Sequence, residues 1–204
     1  MPDGRSVERR RSPEQERSRA GVHAILDATA TLLNDIGVDQ LTMTAIAAEA
    51  GLSKAAVYRY FPTKAAVLRE LALRVLEEYR TLIADKLAST DDVERAQEEL
   101  LAAYVELHRS EPYRVQLRSA IRADPELAHL DLADSRLNAK TLADHLRAAD
   151  GDAFGPDLEL RLLVVIELLE SVIRLVSLVD DEEADAIVAS FAEMSRRHVF
   201  TATD

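Results

Sequence analysis

Residues 42–64 read TMTAIAAEAGLSKAAVYRYFPTK, and this stretch decides the fold. Two short helical patterns flank Gly51. Thr42 is placed to cap the first and Ser53 the second, since a side-chain oxygen there accepts from a free N–H of the opening turn. Gly51 supplies the turn between them, and Pro62 stops the second near Phe61. At roughly 100° per residue, Val57 and Phe61 face inward, while Lys54, Ala55, Tyr58 and Arg59 face out. A helical hairpin with a solvated face would account for the spacing alone. A helix-turn-helix accounts for the residue types as well, because small alanines beside Lys, Tyr and Arg suit a DNA major groove.

In that reading Lys54 or Arg59 donates to guanine O6 and N7, a contact worth about 1–3 kcal/mol of discrimination. Tyr58, Lys64 and the backbone N–H groups near Ser53 hold phosphates.

Upstream, Val22, Ile25, Leu26, Thr29, Leu32, Leu33 and Ile36 recur at helical steps, and Gly37 is a natural stop. Residues 1–19 carry six arginines with no apolar period and read as a flexible arm. Downstream, Thr63 can cap a long fourth helix whose stripe runs from Leu68 through Tyr79 to Ile83. The rest reads as further helices. Asp91 with Glu94 makes a capping box for one that ends near Arg109, and Pro112 and Pro125 suit first turns. The helix after Asp124 runs toward Ala149, with a break allowed, and 150–156 form a loop. Two final helices cover roughly 157–179 and 181–200.

The fold class is therefore all-α. A three-helix head with a helix-turn-helix (20–64) is joined by the long fourth helix to a helical bundle (65–204).

The chain has 204 residues, 48% of them hydrophobic, a net charge of −12 and no cysteine. Disulfides and zinc-thiolate sites are excluded. The acid is segregated: residues 1–64 hold 9 Lys and Arg against 8 Asp and Glu, and residues 65–204 hold 16 against 29. Charges beyond a Debye length of roughly 8–10 Å are screened, so an acidic body does not forbid DNA binding by the head. The apolar run Leu158–Val179 is interrupted by Glu159, Arg161, Glu167, Glu170 and Arg174, which argues against a membrane span. With no apolar leader, a cytoplasmic location is expected.

Residues 22–64 resemble the DNA-binding domain of the TetR/AcrR family of bacterial transcriptional regulators. The resemblance rests on Ile46-Ala47, Ala50-Gly51-Leu52-Ser53-Lys54, Val57-Tyr58, Tyr60-Phe61 and Lys64. It implies phosphate contacts from Thr42 and Thr44, base readout by Lys54, Ala55, Ala56 and Arg59, and phosphate positioning by Tyr58, Tyr60 and Lys64. Tyr60 falls on the inward half of the projection. The Ala55-Ala56 pair departs from the family, which often has Gly or Pro followed by a hydroxyl residue, so a relative's operator does not transfer. The resemblance also implies a ligand-binding body that dimerises through its last two helices.

That body offers polar and aromatic residues as ligand contacts: Tyr104, His108, Tyr113, Gln116, Arg122, Asn138 and His145. Glu167, Glu170, Ser171 and Arg174 share one narrow face, read as a solvated strip with a Glu170–Arg174 pair in preference to a pocket or dimer lining. Ala184, Ile187, Val188, Phe191, Met194, Ser195 and His198 form the facing stripe of the last helix. Enzyme motifs are missing, and Glu126-x-x-His129 is half a di-iron pattern without a second copy. No metal or cofactor is expected.

The expected function is a homodimeric regulator bound to a palindromic operator, acting as a repressor released by a small, largely apolar effector. The alternatives are an activator, an architectural or cell-division factor without effector, and a helical-bundle enzyme.

Overall fold

The computed structural model describes residues 13–90, 92–150 and 154–200. Among them the chain forms helices and no strand: α1 Pro13–Gln40, α2 Met43–Glu49, α3 Lys54–Tyr60, α4 Lys64–Ser89, α5 Val93–Ser110, α6 Tyr113–Ala123, α7 Pro125–Asp150, α8 Leu158–Val176 and α9 Asp181–Phe200. They divide into two compact units, with the division inside α4 between Val67 and Leu68.

In the first unit α1 packs on α2 and α2 on α3. Ile25, Leu33, Ile46 and Val57 are almost wholly buried there, as the inward positions of the sequence pattern require, and Leu41 and Val67, which that pattern did not include, are buried with them. The punctuation is local chemistry. Thr42 Oγ1 accepts from Ala45 N, Ser53 Oγ from Ala56 N and Thr63 Oγ1 from Ala66 N, each at 3.1 Å. Gly51 has φ +65°, a left-handed conformation that a Cβ would strain. Gly37, at φ +70°, kinks α1, yet the chain returns to helix and continues to Gln40.

The expected arm of residues 1–19 overlaps α1, since Pro13–Arg19 is helical. Pro13 suits a first turn, and Glu16 complements the positive end of the helix dipole, so no apolar period is needed there. The remainder of that arm, residues 1–12, lies outside the described residues.

The second unit is built on α7, α8 and α9, with α6 on α7 and α5 beside α6 and α9. One cluster joins Ala139, Ala143, Leu146, Phe154, Leu158, Leu162 and Val199. Another joins Leu101, Val105, Ile173 and Phe191. The cap of α5 is Asp92, whose carboxylate accepts from Arg95 N at 3.1 Å, one residue later than expected. Asp91 itself lies outside the described residues. α7 runs unbroken to Asp150, and α8 ends at Val176, short of the expected 179.

Arg161 of α8 is buried and closes the far end of α9. It donates to the carbonyls of His198 at 3.2 Å, Val199 at 3.1 Å and Phe154. The His198 and Val199 carbonyls lie in the last turn of α9 and have no acceptor role inside their own helix, so a guanidinium with several donors satisfies them. No helix among the described residues is long and apolar enough to cross a membrane.

Candidate nucleic-acid interface and ligand cavity

α3 presents its outer face as the sequence pattern requires. Val57 is fully buried and Phe61 nearly so, while Lys54, Ala55, Tyr58 and Arg59 are exposed. Tyr58 is 44% exposed, high for a tyrosine with no structural need to face water. Two cation–ring contacts pre-order this face: the Lys54 ammonium lies 5.9 Å from the Tyr58 ring centre, and the Arg59 guanidinium 5.1 Å from that of Tyr60. Thr42, Thr44 and Ser53 are exposed and Ala56 is half-buried.

Two expected contacts have structural duties as well. Tyr60 is half-buried, with its ring against α1 at Gly21. Lys64 donates to the Val38 carbonyl at 3.2 Å and so ties the start of α4 to the end of α1. An ammonium has three donors, so one such bond leaves two for another partner.

The second unit contains a cavity of about 130 Å³ with walls from α4 to α9. Most of its lining is Leu, Ile, Val and Phe. Of the residues singled out from sequence, Tyr104, Asn138 and His145 line it. His108, Tyr113, Gln116 and Arg122 do not. His108 sits behind Tyr104, and Tyr113 is buried beneath Arg114, whose guanidinium lies 5.5 Å from its ring. Gln116 is exposed, and Arg122 is turned to Asp131 and Glu167, at 2.8 Å each.

The polar end of the cavity corrects the reading of the α8 polar strip at Glu170, while Ser171 and Arg174 are exposed as expected. Glu170 is largely buried and lines the cavity. It accepts from the Tyr104 hydroxyl and pairs with Arg118 at 2.7 Å, rather than with Arg174. Burial pushes the Glu170 carboxyl above the usual carboxylate range, with Arg118 opposing it. Burial, and then the Glu170 charge, push the Tyr104 hydroxyl well up. Arg118 also reaches Asp131 at 3.0 Å. Asp134, raised by burial against the pull of Arg80, is bonded by Arg80 and by the Asn138 amide at 2.9 Å.

Behind this end runs an aromatic stack. The Tyr79 and Tyr104 ring centres are 5.0 Å apart, and those of Tyr104 and His108 4.4 Å. His108 Nδ1 faces the Tyr104 carbonyl at 2.8 Å, so it carries the proton, and Nε2 accepts from the Tyr79 hydroxyl at 2.9 Å. Burial lowers the His108 pKa to about 4 and keeps the ring neutral.

Sequence reading missed Arg118, Asp134, Ser135 and Tyr79 as wall residues. A signal was available in Glu170, one of five charged residues that interrupt the apolar run of the eighth helix. Among the described residues no group of three or more His, Asp or Glu is placed to hold a metal ion.

Residues 25–71 match the family described as bacterial regulatory proteins, tetR family. Residues 91–202, more than half of the chain, match the tetracyclin repressor-like C-terminal domain. A TetR-family transcriptional regulator from Streptomyces coelicolor is similar at 26% identity and TM-score 0.68, over 87% of this chain and 96% of that one. A TetR transcription regulator from Haloarcula marismortui (21%, TM-score 0.71, 89% and 97%) shares the fold. So does the fatty acid degradation regulator FadR from Bacillus halodurans (17%, TM-score 0.72, 92% and 96%). No curated protein matches the chain.

Proposed function

Because the chain belongs to the TetR family of DNA-binding transcriptional regulators, which are not enzymes, we propose that it is a repressor released by a small effector. The observation that carries the DNA-reading half is the capped α3, with Val57 and Phe61 locked inside and Lys54, Ala55, Tyr58 and Arg59 free outside. Arg59 and Lys54 read bases, Ala55 and Ala56 admit the groove edge, and Thr42, Thr44, Ser53, Tyr58, Tyr60 and Lys64 position the phosphates.

Two copies reading a palindrome have to place their heads roughly 34–36 Å apart, or a small multiple of that. The second copy docks on α8 and α9. Leu160, Val164, Leu168 and Leu175 of α8, Leu178 in the turn after it and Met194 of α9 are exposed, Leu160 at 62% and Leu178 at 70%. So many apolar side chains along one helix pair suit a self-complementary contact.

The effector occupies the cavity of the second unit. Tyr79, Leu82 and Ile83 of α4 line it, and α4 also supplies residues to the first unit, so α4 is the element through which occupancy is felt. Moving the protein from almost all binding-competent to almost none requires about 5.5 kcal/mol of differential affinity. At about 25 cal/mol per Å², a few hundred Å² of buried apolar surface supplies that.

The test is selection of genomic fragments by the purified protein, repeated with Arg59→Ala. A few palindromic sites lost in the variant support the reading. Hundreds of unrelated sites, equally bound by the variant, would point to an architectural factor instead.

A further inference from the structure

The charged groups in and around the cavity wall are already paired within the protein itself. Arg118 faces Glu170 at 2.7 Å and Asp131 at 3.0 Å. Asp134 is held by Arg80, and Arg122 spans Asp131 and Glu167. An entering anion would meet three arginines already committed to four carboxylates, a net negative surrounding. An entering cation would find each of those carboxylates bonded to an arginine. Either ion has to break a buried pair or stay uncompensated, and both are costly.

Among the residues that line the cavity, two buried polar side-chain atoms have no hydrogen-bond partner and both can donate; Glu167 Oε1, also without a partner, belongs to a residue outside the lining. The Ser135 hydroxyl, on a residue only 1% exposed, has no hydrogen-bond partner, and neither does the buried Nε–H of Arg118. Both residues line the cavity. Arg118 bonds Asp131, which lies one helical turn before Ser135 on α7, so the two donors serve the same end of it. Elsewhere in the wall, Gln97 donates to Ser195, and Ser195 to the Ala192 carbonyl, both at 3.0 Å, so that pair is satisfied. A buried donor without an acceptor is a standing cost that a suitable ligand removes.

We infer that the cavity takes an uncharged, largely apolar molecule with one oxygen acceptor, a carbonyl or hydroxyl oxygen, received by Ser135 and Arg118. The inference rests on the reading of this cavity as the effector site. At about 130 Å³ it matches a one-ring molecule, since an apolar cavity of roughly 150 Å³ accepts benzene.

Calorimetric titration of the full chain with four matched ring compounds tests it: acetophenone (neutral acceptor), ethylbenzene (no acceptor), benzoate (anion) and benzylammonium (cation). Acetophenone is expected to bind about tenfold tighter than the other three, the effect of one good hydrogen bond. Ser135→Ala should erase most of that advantage and leave ethylbenzene unchanged. Its ligand-free melting temperature should not fall, because the hydroxyl has no partner to lose. Benzoate or benzylammonium binding as well as acetophenone overturns the inference but keeps the effector site. Ethylbenzene matching acetophenone does the same. A lower melting temperature for Ser135→Ala gives the hydroxyl a structural partner and also overturns it. If none of the four binds, the effector-site reading falls too.

Discussion

The Tyr60 ring of α3 packs directly over Gly21 of α1: a Cβ built on Gly21 would come within 2.9 Å of the Tyr60 hydroxyl oxygen and 3.0 Å of the ring carbon bearing it. This contact fixes α3 against α1, and Arg59 stacks on the same ring. It follows that Gly21→Ala, which in an open helix gains about 1 kcal/mol, should here destabilise the protein. In a Tyr60→Ala background the same change should regain its stabilising sign. Denaturant melts of the four variants check this, and additive effects would remove the contact from the account.

Lys64 combines a structural bond to the Val38 carbonyl with the proposed phosphate contact. Lys64→Ala should lower stability by about 0.5–1.5 kcal/mol and flatten the salt dependence of operator binding by about one unit. A stability loss with an unchanged salt slope would leave Lys64 as a structural clip only.

His108 is neutral in the folded protein, with a pKa of about 4 against an ordinary 6.5. The unfolded chain therefore binds a proton between those values that the fold refuses. The stability this group contributes is complete above pH 6.5 and is lost as pH falls toward 4, by up to about 3 kcal/mol. His108→Gln, which keeps an acceptor for the Tyr79 hydroxyl, should show a shallower fall over that window in pH-dependent urea melts. Equal slopes would show that His108 is not the group responsible.

The exposed apolar side chains of α8 carry the dimer proposal. Leu168, 43% exposed, sits in the middle of that helix. Leu168→Glu should convert a dimer to a monomer in micromolar sedimentation runs while leaving the helical signal intact, because a charge in an apolar seam is costly and at an open surface is not. A wild-type monomer under those conditions refutes the seam outright.

Arg161 serves three carbonyls at the end of the second unit. Replacement by Met keeps the aliphatic stem but strands those acceptors, and should cost about 3–5 kcal/mol in thermal or urea unfolding. A loss below about 1 kcal/mol would mean that water takes over the carbonyls readily.

The helix-turn-helix was legible from sequence because all of its signals are local. Caps at Thr42, Ser53 and Thr63 act over three residues, Gly51 acts on its own φ, and the burial of Val57 and Phe61 follows the helical period. The other helices were legible for the same reason, apart from α1 of the head beginning before its apolar period, α5 of the body being capped one residue late and α8 ending at Val176.

The chain's own order of residues thus determined an all-helical fold and the face that α3 turns outward. The cavity was decided only by tertiary structure. Its polar end joins Tyr104 to Glu170 across 66 residues, and its far wall joins Gln97 to Ser195 across 98. Glu170 illustrates the limit. On its own helix it faces a neighbour at Arg174 and reads as surface, whereas α5 and α6 bring Tyr104 and Arg118 over it and make it a buried wall. Which partner a long side chain finds depends on helices that pack beside it, and sequence spacing along one helix carries no record of that.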